Sequence, residues 1–136
     1  MPRIVWADGS PHDRMFIQAV LGQLPDRPTT EFVTDGEDLL HRIASTRPDL
    51  VVLDLPLAKI DGLEVLARLH GRPDPPPVVV FSESDDRATM AACQERGARR
   101  YVVKSGDFRQ FRAAVHDIAS SAQASSIKEA PVQLLA

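Results

Sequence analysis

Short apolar runs alternate with amphipathic segments along most of the chain. The apolar runs occupy residues 4–7, 31–33, 50–53, 78–81 and 101–103. Most of them are continuously apolar, which is typical of strands that are buried on both faces of a parallel sheet. The run at 31–33 is the most polar because it begins with Glu31, and this favours a strand at the edge of the sheet.

The segments between and after these runs carry apolar residues at helical spacing. The spacing is set by Ile17, Val20, Leu21 and Leu24; by Leu39, Leu40 and Ile43; by Val65, Leu66 and Leu69; and by Phe111, Ala114, Val115 and Ile118. These repeats predict helices that pack one face against a core. Residues 85–95 carry mostly small apolar side chains, so we expect a helix there that is lightly anchored and able to move.

Polar residues stand where the predicted helices begin. The predicted N-caps are Ser10, Asp35, Asp61, Ser84 and Asp107. Pro11 follows Ser10 and suits the first helical position, and Gly97 suits the position just after the fourth helix. Asp13 lies in the first turn, where the helix dipole favours a carboxylate, although it could also hold a metal-bound water.

The order of these elements is five β-α units, which predicts an α/β fold. We expect a five-stranded, doubly wound parallel sheet with helices on both faces, formed by residues 1–120 as one domain. Residues 121–136 are richer in serine, alanine and glutamine and then end in an apolar stretch. They are predicted to be a C-terminal tail, either disordered or serving as a dimerisation arm.

Composition narrows the class of protein. The chain has 136 residues, of which 19 are acidic and 16 basic, and the net charge of −3 argues against a dedicated nucleic-acid binder. Cys93 is the single cysteine, so no disulfide can form within the chain. No apolar run is long enough to cross a bilayer, and the first run is too short for a signal peptide. We therefore expect a cytoplasmic protein without membrane or nucleic-acid partners.

Four polar residues stand at or just past the ends of different predicted strands: Asp8, Asp54, Ser82 and Lys104. The carboxyl ends of parallel strands share one edge of the sheet, and ligands bind there in folds of this class. Carboxylate oxygens suit a hard cation such as Mg²⁺, and a lysine can neutralise a buried carboxylate. A carboxylate nucleophile, a cation, an ammonium group and a hydroxyl together indicate phosphoryl transfer.

Several segments carry a family resemblance. Residues 48–66 (PDLVVLDLPLAKIDGLEVL), 97–104 (GARRYVVK), 8–14 (DGSPHDR) and the pair Phe81-Ser82 resemble the receiver domains of two-component response regulators. The resemblance runs from about residue 4 to residue 118, with the motifs in order. It implies the flavodoxin-like strand order 2-1-3-4-5 and a single-domain regulator similar to chemotaxis regulators.

The resemblance also implies a role for each residue. Asp54 would accept the phosphoryl group, while Lys104 and Ser82 would contact its oxygens. Tyr101 would be the aromatic residue that turns inward when Ser82 is drawn to the phosphoryl group. The implied Mg²⁺ site is formed by Asp8, Asp54 and the backbone carbonyl of Pro56.

The same resemblance implies the partners. A sensor histidine kinase would supply the phosphoryl group, and a downstream protein or phosphotransfer partner would read the result; a homodimer is also compatible with the family. Such a protein is not an enzyme with a substrate of its own, because it catalyses only its own phosphorylation and dephosphorylation.

Five residues depart from the family pattern, and two of them, Pro56 and Ala58, lie in the loop after the third strand. Gly9 replaces the second of two adjacent acidic residues, Glu83 follows Ser82 where a small residue is usual, and Ser105 replaces a proline after Lys104. Without proline we expect a trans or strained peptide bond at Lys104–Ser105. The loss at Gly9 should weaken Mg²⁺ binding and supports an alternative function, a pseudo-receiver that binds partners without phosphorylation.

An alternative of another class is a flavin carrier or a phosphatase on the same kind of sheet. A flavin carrier needs a phosphate-cradling loop rich in Thr, Ser and Gly after the first strand, and residues 8–13 do not supply one. Aspartyl phosphatases carry a second Asp two residues after the nucleophile, where this chain has Pro56.

Overall fold

The computed structural model describes residues 2–123 and the backbone of residues 133–135. The strands are β1 (Arg3–Ala7), β2 (Thr29–Val33), β3 (Leu50–Leu53), β4 (Val78–Ser82), β5 (Arg100–Val103) and β6 (Gln133–Leu135). The helices are α1 (Pro11–Gly22), α2 (Gly36–Thr46), α3 (Gly62–His70), α4 (Arg87–Glu95) and α5 (Phe108–Ser121).

The sheet is parallel throughout and runs in the order β2-β1-β3-β4-β5-β6. The predicted order of the first five strands is therefore confirmed, and β2 with Glu31 lies at the edge as predicted. The sixth strand, β6, falls in the segment 121–136 and pairs Leu134 with Tyr101 of β5. A three-residue strand is shorter than the runs that sequence patterns detect. The prediction of a disordered tail or dimerisation arm otherwise falls on residues outside the described part.

The core forms two layers, one on each face of the sheet. One layer packs β-strand side chains against α2, α3 and α4, and the other packs them against α1 and α5. Along β3, Val51 and Leu53 belong to the first layer while Leu50 and Val52 belong to the second, as the alternation of side chains in a strand requires. This arrangement confirms the prediction of helices on both faces.

Among the helices of the described part, α4 is the most lightly anchored. Only Met90 and Cys93 are buried in it. Few buried apolar contacts make an element easier to displace, as its composition predicted. Gly97 follows the helix with a φ of 91°, in agreement with its predicted place.

Four of the five predicted N-caps are confirmed: Ser10, Asp35, Asp61 and Asp107. The prediction for Ser84 is wrong, because α4 begins two residues later and Asp86 is its cap. The Asp86 carboxylate accepts hydrogen bonds from the Thr89 backbone N–H at 2.9 Å and from the Thr89 hydroxyl at 2.8 Å. The Ser84 hydroxyl instead accepts a bond from the Asp86 N–H, which shapes the turn before the helix.

The loop after β3 is packed tightly against the start of α2. The Gly36 N–H donates to the carbonyl of Ala58 at 3.1 Å, and Asp35 and Ala58 form an isolated β-bridge. A Cβ atom on Gly36 would overlap the backbone carbonyl oxygen of Ile60. Glycine at position 36 therefore allows the loop that follows Asp54 to pack directly against the start of α2.

We expect Gly36→Ala to lower the free energy of unfolding by about 1–3 kcal/mol, since the new methyl group meets backbone that cannot rotate away. Gly106→Ala is the matched control, because a Cβ atom at Gly106 meets no heavy atom within 4 Å. The control should change stability by no more than about 0.5 kcal/mol. Urea denaturation measures both, and an equal effect of the two substitutions would contradict the tight packing.

Candidate functional site

The ends of four strands bring the predicted residues together. Asp8, Asp54 and Lys104 follow β1, β3 and β5, and Ser82 is the last residue of β4. These four are the buried serine and the buried charged residues of the described chain, and the other buried residues there are aliphatic, aromatic, Met, Cys, glycine or proline. Buried charges are costly unless they are paired, so the sheet edge concentrates the groups whose burial needs an explanation.

Sheet hydrogen bonding continues past the strands and places these side chains. The backbone N–H of Asp54 donates to the Ala7 carbonyl at 2.9 Å, and that of Lys104 donates to the Ser82 carbonyl at 2.7 Å. The Asp8 N–H similarly reaches the Val33 carbonyl at 3.1 Å. Each side chain therefore projects from backbone that is held as firmly as the strand before it.

The Lys104 ammonium group is the centre of the site. Its Nζ atom lies 2.9 Å from Asp8 Oδ2, 2.8 Å from Asp54 Oδ2 and 2.8 Å from Asp13 Oδ2. The lysine side chain is only 3% exposed, so these ion pairs form away from bulk water. When all four groups are ionised, three carboxylates and one ammonium group carry a net charge of −2.

The other carboxylate oxygens are held by backbone. Asp8 Oδ1 accepts a hydrogen bond from the Ser10 N–H at 2.9 Å, and Asp54 Oδ1 accepts one from the Leu55 N–H at 2.9 Å. Both carboxylates thus present one oxygen to the backbone and the other to Lys104, which fixes their orientation.

Burial and pairing act in opposite directions on the ionisation of the site. Burial raises the pKa of Asp8, and the hydrogen bond and charge of Lys104 offset this only in part. Burial alone would lower the pKa of Lys104, but its hydrogen bonds to Asp13 and Asp54 and the charge of Asp54 outweigh that effect and raise the pKa above its usual value. Lys104 is therefore a permanent cation at physiological pH.

Tyr101 points into the molecule beside Ser82. Its ring is fully buried, and its hydroxyl donates to the backbone carbonyl of Ser84 at 2.7 Å. Burial raises the pKa of Tyr101, and hydrogen bonds to Ser84 and Ser82 oppose this rise. The tyrosine thus lies in an inward position, with its hydroxyl directed at the loop before α4.

The groups at the sheet edge have the chemistry that Mg²⁺ requires. A Cβ atom on Gly9 would lie 3.3 Å from the Pro56 carbonyl oxygen, so this oxygen faces the turn that follows Asp8. Carboxylate and carbonyl oxygens with a net negative charge suit a hard divalent cation. Within residues 2–123, no three His, Cys, Asp or Glu side chains form a metal cage by themselves, so a cation here would also need carbonyl and water ligands.

A cavity of about 540 Å³ opens beside Lys104 between α1 and α5. Asp13 and Glu83 line its polar side, and Phe16 and Phe108 line its apolar side. Glu83, which departs from the family pattern, thus stands at the entrance to the site. Ser105 also lines the cavity.

The peptide bonds of the described residues are all trans. The bond between Lys104 and Ser105 is therefore trans, which is one of the two forms expected without a proline.

The contact of Asp13 with Lys104 was not predicted. Asp13 was interpreted as a first-turn carboxylate that could also hold a metal-bound water, whereas its carboxylate contacts Lys104 across 91 positions of sequence. Its position over the end of β1 was the available signal, since a residue in the first turn after a strand stays near the strand end.

Comparison with known proteins identifies the family. The family model for the response regulator receiver domain matches residues 4–116. The chain belongs to the response regulator receiver family. The sheet order, the buried carboxylates and the lysine after β5 are thus those of a signalling domain of two-component systems.

Individual relatives agree with this assignment. The chain is 34% identical over 97 residues to protein-glutamate methylesterase/protein-glutamine glutaminase 1 of Myxococcus xanthus, covering 71% of this chain and 28% of that protein. It is 38% identical over 76 residues to the response regulator MprA of Mycobacterium tuberculosis, covering 56% of this chain and 33% of that protein. The chain therefore spans a third or less of these curated relatives.

Two solved structures match over most of both chains. The Mn²⁺-bound response regulator Rcp1 has a TM-score of 0.82 at 29% identity, covering 88% of this chain and 93% of that one. The phosphorylated cyanobacterial phytochrome response regulator RcpA has a TM-score of 0.82 at 28% identity, covering 88% and 92%. Receiver domains in general interact with histidine kinases and downstream effectors and bind Mg²⁺. In the described part of this receiver, no helix has the length and apolar character of a membrane span.

We expect Lys104→Met to lower the free energy of unfolding at pH 7 by about 3–5 kcal/mol, because it leaves buried carboxylates without a counterion. Lys59→Met is the matched control, since Lys59 is 62% exposed and lies 3.9 Å from Asp35. The control should cost no more than about 1 kcal/mol. Chemical denaturation at a series of pH values measures both.

The deficit of Lys104→Met should shrink as the pH falls. Burial already raises the pKa of Asp8, and without Lys104 the opposing influence is lost. When the pKa of a carboxyl group is higher in the folded protein than in the unfolded chain, the protein loses stability as the pH rises above the ordinary pKa of that group, which is 3.8 for Asp. The variant should therefore approach the wild type near that pH, and a deficit independent of pH would contradict the role of the ion pairs.

Proposed function

We propose that this receiver accepts a phosphoryl group on Asp54 from a sensor histidine kinase and thereby changes its binding to a downstream partner. The observation that carries the proposal is the contact of Lys104 Nζ with Asp54 Oδ2 at 2.8 Å in a buried site. This contact puts a permanent cation beside the atoms on which phosphoryl charge would develop.

Asp54 has the properties of a nucleophile for this transfer. One carboxylate oxygen attacks phosphorus while the bond from phosphorus to the donor nitrogen of the kinase breaks. The Leu55 N–H, at 2.9 Å from Asp54 Oδ1, keeps the carboxylate in one orientation during the attack. Lys104 then pairs with a phosphoryl oxygen, and its positive charge stabilises the negative charge on the phosphoryl oxygens in the transition state.

Asp8, Asp54 and the backbone carbonyl of Pro56 would hold Mg²⁺. The cation supplies further neutralisation of the phosphoryl oxygens. Burial raises the pKa of Asp8, and the positive charge of a bound cation would oppose this rise by favouring the ionised form.

The switch would run through Ser82 and Tyr101. When the Ser82 hydroxyl turns to a phosphoryl oxygen, the surroundings of the Tyr101 ring change, while the Tyr101 hydroxyl keeps its hydrogen bond to the Ser84 carbonyl. The loop carrying Ser84 leads directly into α4, which buries only Met90 and Cys93. A lightly anchored helix beside the site is suited to carry a two-state change to a partner.

The remaining features of the proposal follow from the family. The protein would work in the cytoplasm, as a signalling domain that catalyses only its own phosphorylation and dephosphorylation. Its partners would be a kinase, a downstream protein or phosphotransfer protein, and a second copy of itself. A nucleic-acid partner is not proposed, in keeping with the net charge of −3.

The alternative, a pseudo-receiver, is favoured by Gly9, which offers no carboxylate to the cation site. Weaker binding of Mg²⁺ would make phosphorylation of Asp54 inefficient. Such a domain would bind its partner whether or not Asp54 is modified.

Intact mass after incubation with acetyl phosphate, with and without Mg²⁺, separates the two functions. We expect a Mg²⁺-dependent gain of one phosphoryl group in the wild type and none in Asp54→Asn. Asp74→Asn is the matched control, because Asp74 is exposed and its φ of 50° is well tolerated by Asn. It should gain the group as the wild type does.

A wild type that gains no mass is then titrated with beryllofluoride and Mg²⁺. Binding would indicate a working site that loses its phosphoryl group quickly. The absence of both modification and beryllofluoride binding would overturn the proposal in favour of the pseudo-receiver.

A further inference from the structure

Position 9 cannot contribute an acidic group to the site. The family's second carboxylate belongs at this position, and Gly9 has no side chain. Its backbone packs closely against the loop after β3, because a Cβ atom would lie 3.3 Å from the Pro56 carbonyl oxygen and 3.7 Å from that of Thr34. If the site needs a further carboxylate, it must come from another element.

The first turn of α1 brings a further carboxylate, that of Asp13, to Lys104. Asp13 is the third residue of that helix, and its Oδ2 atom lies 2.8 Å from Lys104 Nζ. Asp38 holds the corresponding third position of α2, and its side chain is 46% exposed against 15% for Asp13. Asp13 is therefore turned into the site, whereas Asp38 is an ordinary charge at a helix start.

Hydrogen bonds through Ser10 tie the first turn of α1 to Asp8. The Ser10 N–H donates to Asp8 Oδ1 at 2.9 Å, and the Asp13 N–H donates to the Ser10 hydroxyl at 3.2 Å. Pro11 fixes the direction of the chain between them. The helix start is thus held over the strand end, and the carboxylate of Asp13 is held with it.

We propose that Asp13 supplies the second acidic group of the cation site, in place of the side chain that Gly9 lacks. The inference rests on the proposed function. Three carboxylates and one ammonium group carry a net charge of −2, which balances a divalent cation, whereas removal of Asp13 leaves −1. Affinity for hard cations rises with the number of charged oxygen ligands.

Pairing of Lys104 with a phosphoryl group would strengthen the role of Asp13. The ammonium group then turns from the carboxylates to the phosphoryl oxygens, and Asp13 is left with unbalanced negative charge. A divalent cation beside Asp8 would supply the missing positive charge.

Binding of Mn²⁺ to the full chain tests the inference, with free Mn²⁺ measured by electron paramagnetic resonance. Asp13→Asn should weaken the affinity by about 10-fold or more. Asp38→Asn removes the same charge from the same helical position of α2 and should leave the affinity unchanged. Gly9→Asp combined with Asp13→Asn should recover most of the loss, since it returns a carboxylate to position 9.

Equal affinities of the wild type and Asp13→Asn would overturn the inference and leave the proposed function intact. Absence of Mn²⁺ binding by the wild type would overturn both. Binding that depends on Asp13 in a protein that acetyl phosphate and beryllofluoride do not modify would uphold the inference and reject phosphorylation. If circular dichroism shows that Asp13→Asn does not fold, the pair Asp13→Glu and Asp13→Gln is measured in its place. The affinity for Mn²⁺ should be retained by Asp13→Glu and lost by Asp13→Gln.

Discussion

The Lys104 ammonium group holds three carboxylates together at the end of a buried sheet, where they would otherwise repel one another. The removal of such charges from water costs free energy that their mutual attraction often does not recover. An apolar set of side chains could fill the same space without that cost. The cluster is therefore better explained by the proposed binding of a phosphoryl group and a cation than by the stability of the fold. The fold serves it by extending sheet hydrogen bonds to Asp8, Asp54 and Lys104, so that their backbones are fixed.

The same cluster explains how a local event could reach the surface. Lys104 contacts the carboxylates, and in the proposed function it would turn to a phosphoryl group and so alter the charge balance beside Ser82. Tyr101 lies next to Ser82 and is bonded to the Ser84 carbonyl, which begins the loop before α4. Because α4 buries few side chains, it resists such a change less than the other helices do. Firmly held strand ends and one weakly anchored helix would thus both contribute to the proposed switch.

The sequence allowed the strands and the location of the site to be predicted because both depend on local pattern. Continuous apolar runs marked strands buried on two faces, and the polar residue after each run marked the carboxyl edge. The contact of Asp13 with Lys104 was not predicted, because helical position alone does not tell which way a first-turn side chain points. Asp86 was missed as a cap because Ser84 came first in the chain, although a carboxylate that accepts two bonds from Thr89 is the stronger cap. The short strand β6 was not predicted, because it is defined by its pairing with β5 and its own three residues carry no recognisable strand pattern.

The central claim is that Lys104 exchanges carboxylates for a phosphoryl group on Asp54 beside a divalent cation. The most direct test is a crystal structure of the full chain with Mn²⁺ and beryllofluoride. The account predicts beryllofluoride bonded to an Asp54 oxygen, Lys104 Nζ in contact with fluoride, and an anomalous Mn²⁺ peak beside Asp8. A structure from saturating Mn²⁺ and beryllofluoride in which Asp54 is unmodified and Lys104 still contacts all three carboxylates would contradict it.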